Sequence, residues 1–275
     1  QQASKSSSAV LKSTPPPANV NLFDLVRKSC SDLVPHCKHV SIDDAKVQEF
    51  AQQRIINKLQ ETPDFFTKME DPMALPLKFE NITQEINFLV LYGAIQFGSG
   101  YRKELHELVG RGAAETMMYA LMGMILGDSK LDAEFCANFS MFDVEQLFNI
   151  PVSVEVPSKK HPAIMMSVDS PLKPLADGIV HFFRESGRKL MERQSKDFAQ
   201  FILDILVNNP SAENLIRELV TVFPTILDDK QELEIGSSDS LVENNSEQQA
   251  ATKTTVYFYK KAQLIVAELY KSLRT

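Results

Sequence analysis

The chain has 275 residues, of which 44% are hydrophobic, and carries a formal net charge of −7 at neutral pH. This is enough for one sizeable core, and the acidic balance argues against a protein that grips long nucleic acid, because such binding depends on neutralising phosphates. Three cysteines cannot all pair, no apolar run approaches the length of a bilayer span, and no secretory signal is visible. We therefore expect a cytoplasmic protein that neither enters a membrane nor binds nucleic acid directly. Because the first residue is glutamine, a targeting peptide ahead of it stays an open question.

The chain begins with a segment that predicts disorder. Residues 1–20 are rich in serine and proline and have no apolar period. Order is expected from Asn21, in one helical domain over residues 21–275. A second aperiodic, polar and acidic segment, 228–254, predicts a flexible surface insertion within that domain.

Between these segments, apolar residues recur at helical spacing. Residues 41–59 have such a ladder, with Ser41 as the expected N-cap. Residues 169–193 have a longer one, with Pro171 in the expected first turn. Residues 211–223 have a third, which stops at Pro224. The segments 83–97 and 113–126 are more uniformly apolar and predict interior helices.

The last part of the chain predicts a short extended piece followed by a helix. "VYFY" at 256–259 is the extended piece, and the helix after it has an apolar stripe of Ala262, Ile265, Val266 and Leu269. The whole pattern predicts a mostly α fold with a long disordered loop and at most a short β element.

A cluster of glycines marks a candidate site. The chain has ten glycines, and four of them lie in Gln96–Gly112, "QFGSGYRKELHELVGRG". Two interpretations fit this pattern. In the first, Phe97 and Tyr101 line a pocket for a base while Arg102, Lys103 or Arg111 meets a phosphate, since glycine permits close approach. In the second, the glycines cap a loop between two interior helices and the charges are solvated.

Several segments, in order, resemble the queuosine salvage family, the queuosine 5′-phosphate N-glycosylase/hydrolases. They are "NFLVLYGAIQFGSGYRKELHE", "FFRESGRKLMERQSKDFAQFILDI", "SAENLIRELVTVFPTILDD" and "YFYKKAQLIVAELY". The resemblance runs from about Val26 to the C-terminus. It implies a helical fold distantly like helical DNA glycosylases, and an enzyme that releases queuine from a small-molecule nucleotide for reuse in tRNA modification. No cofactor or metal is implied.

The chain departs from the family pattern in two places. The family's Phe-x-Asp segment, which carries its catalytic aspartate, would lie beyond residue 275, so we expect a C-terminally truncated member and assign no catalytic residue. A histidine ahead of the aromatic segment also has no counterpart in Pro72–Asn81. The departures leave three interpretations open: the salvage hydrolase, a noncatalytic nucleoside-binding or scaffold protein on the same fold, and the same chemistry on another modified nucleoside.

Two further elements bear on ligands. Lys261, at the start of the last predicted helix, is a candidate for a ligand phosphate, although lysines at such positions are usually solvated. "HCKH" at 36–39 has no second ligand pair at matching spacing, so we predict no metal site there. The predicted substrate-binding residues are therefore Phe97, Tyr101, Arg102, Lys103 and Lys261.

Overall fold

The computed structural model describes residues 16–17, 19–37, 39, 41–61, 79–96, 98–127, 129–227, 229–235 and 252–273. The described chain is mostly helical, as the sequence predicts, and its residues group into two compact units. The larger unit contains the described residues up to Phe23, those of Phe79–Lys230 and those from Phe258 onward. The smaller unit contains the described residues of Asp24–Lys78 and Gln231–Tyr257.

The regular elements follow one another in a simple order. The helices are α1 (Leu22–Leu33), α2 (Asp44–Phe50), α3 (Asn57–Glu61), α4 (Ile82–Ala94), α5 (Arg102–Leu108), α6 (Ala113–Leu126), α7 (Ala133–Ala137), α8 (Met141–Asp143), α9 (Lys173–Glu192), α10 (Phe198–Asn208), α11 (Ala212–Val222), α12 (Pro224–Leu227) and α13 (Lys260–Ser272). The strands are β1 (Ser153–Pro157), β2 (Met165–Asp169), β3 (Gln231–Ile235) and β4 (Thr252–Val256). Within the described residues, the strands form two antiparallel pairs, β1 with β2 and β3 with β4.

Helix α9 forms one side of the core of the larger unit. The ring of Phe183 on α9 stacks on Phe139 with centroids 4.1 Å apart, and Phe148 meets both rings edge-on. Burial of each such side chain stabilises the fold by about 1.5–3 kcal/mol. The predicted apolar ladder is confirmed, since all its members are buried: Leu172, Leu175, Ala176, Ile179, Phe182, Phe183 and Leu190. The proline in the first turn is Pro174, however, and Pro171 lies in the turn before the helix.

A glycine allows α7 to lie directly against α9. A Cβ built on Gly187 would lie 2.2 Å from the backbone nitrogen of Ala137 and 2.5 Å from the carbonyl oxygen of Ala133. No real Cβ fits at those distances, so the close crossing of these helices requires glycine at this position.

Helix α4 is central to a second part of the larger unit, where it contacts α6, α10 and α13. It is an interior helix, as the sequence predicts, and so is α6. The predicted stripes of two of the neighbouring helices are buried as well: Leu215, Leu219 and Val222 on α11, and Ala262, Ile265, Val266 and Leu269 on α13.

The smaller unit contains a helix that differs from its prediction. The helix over 44–61 has π-type hydrogen bonding at Ala51–Ile56. Its N-cap is Asp43, whose carboxylate accepts a hydrogen bond from the Lys46 amide, and not Ser41. The apolar side chains of Val47, Phe50 and Ile55 are about half exposed. A helical period therefore predicts the helix here but not its burial.

The two aperiodic segments lie mostly outside the described residues. For residues 228–254, the ends that the structure describes pair as β3 and β4, while 236–251 lie outside it. The extended piece predicted at 256–259 is displaced, because β4 ends at Val256. The predicted tail, residues 1–20, is described only at four positions, where Arg217 binds the carbonyl oxygens of Pro17 and Val20.

Candidate functional site

The segments that carry the family resemblance pack against one another in the larger unit. Asn87 of "NFLVLY" accepts a buried hydrogen bond of 2.9 Å from the backbone amide of Ala199, in the first turn of α10. Gly93, on the same helix, lies against Ile265 of α13, where a Cβ would meet the Ile265 Cγ1 atom at 2.5 Å. The ring of Phe88 is fully buried and stacks on Tyr92 with centroids 5.8 Å apart. Asn87 and Gly93 therefore join α4 to α10 and α13.

The glycine-rich segment forms a short 3₁₀ turn, α5 and a loop into α6. Gly98 packs against α6, where a Cβ would lie 3.1 Å from the Ala113 Cβ, whereas Gly100 has open space around it. Gly110 has a φ of 76°, in the left-handed region that favours glycine. Gly112 is the N-cap of α6, and its amide donates to Glu115 at 3.3 Å. Three of the four glycines therefore have a structural role.

The ligand residues predicted in this segment occupy a continuous stretch of chain. Tyr101 ends the 3₁₀ turn and is half-buried, while Arg102 and Lys103 open α5 and are exposed. Lys103 is 3.9 Å from Glu107, a solvated pair within one helix. The guanidinium of Arg111 lies 5.2 Å from the centre of the Tyr119 ring, a cation–π contact. Phe97 lies outside the described residues.

Lys261 lies at a different place, the corner between α12 and α13. Its Nζ donates to the carbonyl oxygen of Ile226 at 3.5 Å. Burial lowers the pKa of Lys261, and the nearby carboxylate of Asp229 acts in the opposite direction. The lysine is therefore half-buried next to a carboxylate and not a solvated lysine at a helix start.

Asp229 and Tyr259 complete this corner. Both carboxylate oxygens of Asp229 accept from the Lys260 amide, at 2.9 and 3.1 Å, so a negative charge lies at the positive end of α13. Tyr259 precedes the helix with a φ of 46°, and its side chain is buried. A bulky residue in the left-handed region is strained, and it persists only where its surroundings hold it. We call Ile226, Asp229, Tyr259 and Lys261 the α13 corner.

The sequence indicates only one side of the α13 corner, that of Lys261. "YFYKKAQ" draws attention to Lys261, but Asp229 is 32 residues earlier and sits in a segment whose composition predicts a flexible insertion. The structure gives Tyr101 and Lys261 different neighbours: the 3₁₀ turn that ends at Tyr101 contacts α5 and α6, whereas α13 contacts α4, α11 and α12.

Comparison with known proteins adds no relative: no protein-family profile matches the chain, and no curated protein matches it either. Within the part of the chain that the structure describes, no helix combines the length and the apolar character needed to cross a membrane.

Proposed function

We propose that this protein hydrolyses the N-glycosidic bond of a nucleotide of the queuosine 5′-phosphate type and releases queuine in the cytoplasm for reuse in tRNA modification. The α13 corner carries the proposal. Residues with strained backbone cluster at functional sites, and so do ionisable groups with shifted pKa values. Here both occur within "YFYKKAQ", the block that carries much of the resemblance to the salvage family.

The reaction sets clear chemical demands on such a site. Breaking an N-glycosidic bond builds positive charge on the sugar, so a carboxylate against the anomeric carbon lowers the barrier. A 7-deazaguanine base lacks N7, the ring nitrogen that purine hydrolases commonly protonate to help the base leave, and the carboxylate must then supply more of the acceleration. We assign no residue of this chain to that role. The proposed part of Lys261 is to bind the ligand phosphate, since a lysine is a point charge suited to phosphate.

The proposed ligand contacts from the glycine-rich segment are Phe97, Tyr101, Arg102 and Lys103. The half-buried ring of Tyr101 offers a stacking surface, and the exposed charges of Arg102 and Lys103 follow it directly. An alternative proposal is a protein that binds the nucleoside without catalysis, which requires the same contacts and no carboxylate at the sugar.

The test is incubation of the purified full-length protein with queuosine 5′-phosphate. Chromatography follows release of the base, and titration calorimetry follows binding. Release of queuine supports hydrolysis, whereas binding without release supports the noncatalytic alternative. Absence of both overturns the proposal. Lys261→Met should weaken binding, and Lys260→Met, at the exposed neighbouring position, is the matched control.

A further inference from the structure

The β1–β2 hairpin has one apolar face that is open to solvent. In the register of the two strands, Val154 lies opposite Val168. Two residues further along, Val156 lies opposite Met166, so all four side chains share one face. Met166 is 45% exposed and Val168 is 37% exposed, whereas the two valines of β1 are half-buried. An apolar sheet face normally packs on a core, and this one is covered least on the side of β2.

The outer edge of β2 has backbone groups that point away from β1. At the base of the hairpin, the amide of Ser170 donates to the carbonyl oxygen of Val152 at 3.0 Å. Hydrogen-bonded pairs alternate with non-bonded pairs along an antiparallel ladder, so the amide and carbonyl groups of Met165 and Ser167 point outward. Among the described residues, no group outside the hairpin bonds to them. Such a row of backbone groups is a template for another strand.

The two edges of the hairpin differ in how they are protected. β1 contains Pro157, which has no amide hydrogen, and the charged side chain of Glu155. Proline and charge on an edge strand hinder pairing with another chain. Residues 164–168, which include most of β2, have neither a charge nor a proline. β2 is therefore the edge that is open to strand addition.

A second copy of the chain matches this edge. A twofold axis through Ser167 makes β2 its own antiparallel partner, because the two Ser167 residues then exchange both of their outward backbone hydrogen bonds. In this register, Met166 of each copy lies opposite Val168 of the other copy. The axis is perpendicular to the sheet, so the apolar faces of the two hairpins lie on the same side and become continuous.

The charges of the hairpin favour this antiparallel direction. The tip carries Lys159 and Lys160, which are both exposed. The base carries Asp169, whose side chain is 75% exposed and which accepts from Lys173 at 2.8 Å through one of its two oxygens. Antiparallel pairing places the tip of each copy beside the base of the other, so lysines approach a carboxylate. Parallel pairing would place tip beside tip and bring like charges together.

We infer that β2 is a dimerisation edge. Two copies pair through β2 into a four-stranded sheet of the order β1–β2–β2–β1, with one continuous apolar face. A single pair of short strands belongs to the class of small, transient interfaces, so the dimer forms reversibly as the concentration rises. The hairpin shares no residue with the α13 corner or the glycine-rich segment, so this inference is independent of the proposed function.

Sedimentation velocity of the purified full-length protein, from low to high micromolar concentration, tests the inference. The average mass should rise from one chain toward two. Ser167→Pro removes an outward amide hydrogen but no bond between β1 and β2, and it should raise the dissociation constant of the dimer about 10-fold or more. Glu155→Pro is the matched control, because residue 155 pairs with residue 167 and lies on the other edge. It should dimerise like the parent.

A charge exchange at the twofold axis tests the register. Ser167→Lys and Ser167→Glu each place two like charges opposite each other in the dimer, so each variant alone should dimerise several-fold more weakly than the parent. An equimolar mixture of the two should regain dimerisation, because lysine then lies opposite glutamate. Circular dichroism shows that each variant is folded.

Three results would overturn the inference. One is a monomer at every concentration, which would leave β2 to a different partner. The second is parental dimerisation by folded Ser167→Pro, which would place the interface elsewhere on the chain. The third is a mixture of the lysine and glutamate variants that dimerises no better than either variant alone, since a pair centred on Ser167 requires the rescue.

Discussion

Gly93 on α4 and Ile265 on α13 touch so closely that a Cβ at position 93 would lie 2.5 Å from the Cγ1 atom of Ile265. The isoleucine is fully buried, so its side chain cannot turn away into solvent. The two residues come from different segments of the family resemblance, and their contact sets how closely those segments approach.

This contact predicts strong coupling between the two positions. Gly93→Ala should lower the free energy of unfolding by about 1–3 kcal/mol through overpacking, and Ile265→Ala by about 2–5 kcal/mol through a cavity. The double variant should lose less than the sum, because the smaller residue at 265 makes room for the added methyl group. Urea denaturation of the four proteins measures the coupling, and additive losses would show that the helices do not cross here.

Gly187 provides a stricter case, because the atoms nearest to its missing Cβ belong to backbone. Gly187→Ala should destabilise the protein by about 3 kcal/mol or more, since α7 must move away from α9. Gly123 on α6 is the matched control, with no atom within 4 Å of its Cβ position. Gly123→Ala should raise stability by about 0.4–1 kcal/mol. Equal effects in thermal unfolding would contradict the close crossing.

Asn87 links α4 to the start of α10. Asn87→Ala leaves the buried amide of Ala199 without an acceptor and should cost about 1–3 kcal/mol of unfolding free energy. Asn138→Ala is the control, because Asn138 is exposed and bonds only within its own turn. Hydrogen exchange at the Ala199 amide should accelerate in the first variant alone. An unchanged exchange rate would mean that the bond does not protect it.

The lowered pKa of Lys261 predicts that the difference in stability between Lys261→Met and the parent depends on pH. Its pKa is lower in the folded chain than the ordinary value of 10.5, so the unfolded chain binds more protons between the two values. The penalty for the buried charge is therefore fully present below the folded pKa and disappears as the pH rises toward 10.5. The stability of Lys261→Met relative to the parent should be greatest near neutral pH and should fall on approach to pH 10.5.

The measurement is the melting temperature between neutral pH and pH 10.5 for three proteins: the parent, Lys261→Met and Lys260→Met. Lys260 is exposed, so its variant removes the same charge without a change in burial. A difference that rises with pH for Lys261→Met, or the same profile for both variants, would contradict the buried position of Lys261.

Tyr101 and Arg102 separate the two interpretations of the glycine-rich segment. If they contact the nucleotide, Tyr101→Ala and Arg102→Ala should each weaken its binding by about 1–3 kcal/mol, the scale of base stacking or a charge-assisted hydrogen bond. The arginine effect should shrink with a ligand that lacks the 5′-phosphate. Phe142→Ala and Arg188→Ala are controls at an exposed aromatic residue and an exposed arginine outside the segment. Parental binding by both site variants favours a purely structural segment.

The helices and their buried faces follow largely from the sequence. The apolar ladders of α9, α11 and α13 are local patterns, and a local pattern is sufficient to predict which face of a helix turns inward. The ladder of residues 44–61 shows the limit of this reasoning, because Phe50 has the same spacing and is 59% exposed. Spacing predicts a face, but only a neighbouring element buries it.

The approach of distant segments was decided by tertiary structure. In the sequence, Gly93 and Gly187 look like ordinary helix-weakening residues. No larger residue fits at these positions, because Ile265 lies against Gly93 from 172 positions away and the backbone of α7 lies against Gly187 from about 50 positions away. Asp229 becomes a partner of Lys261 only where α12 and α13 meet. Charge and burial depend on distance in space, which a one-dimensional period does not contain.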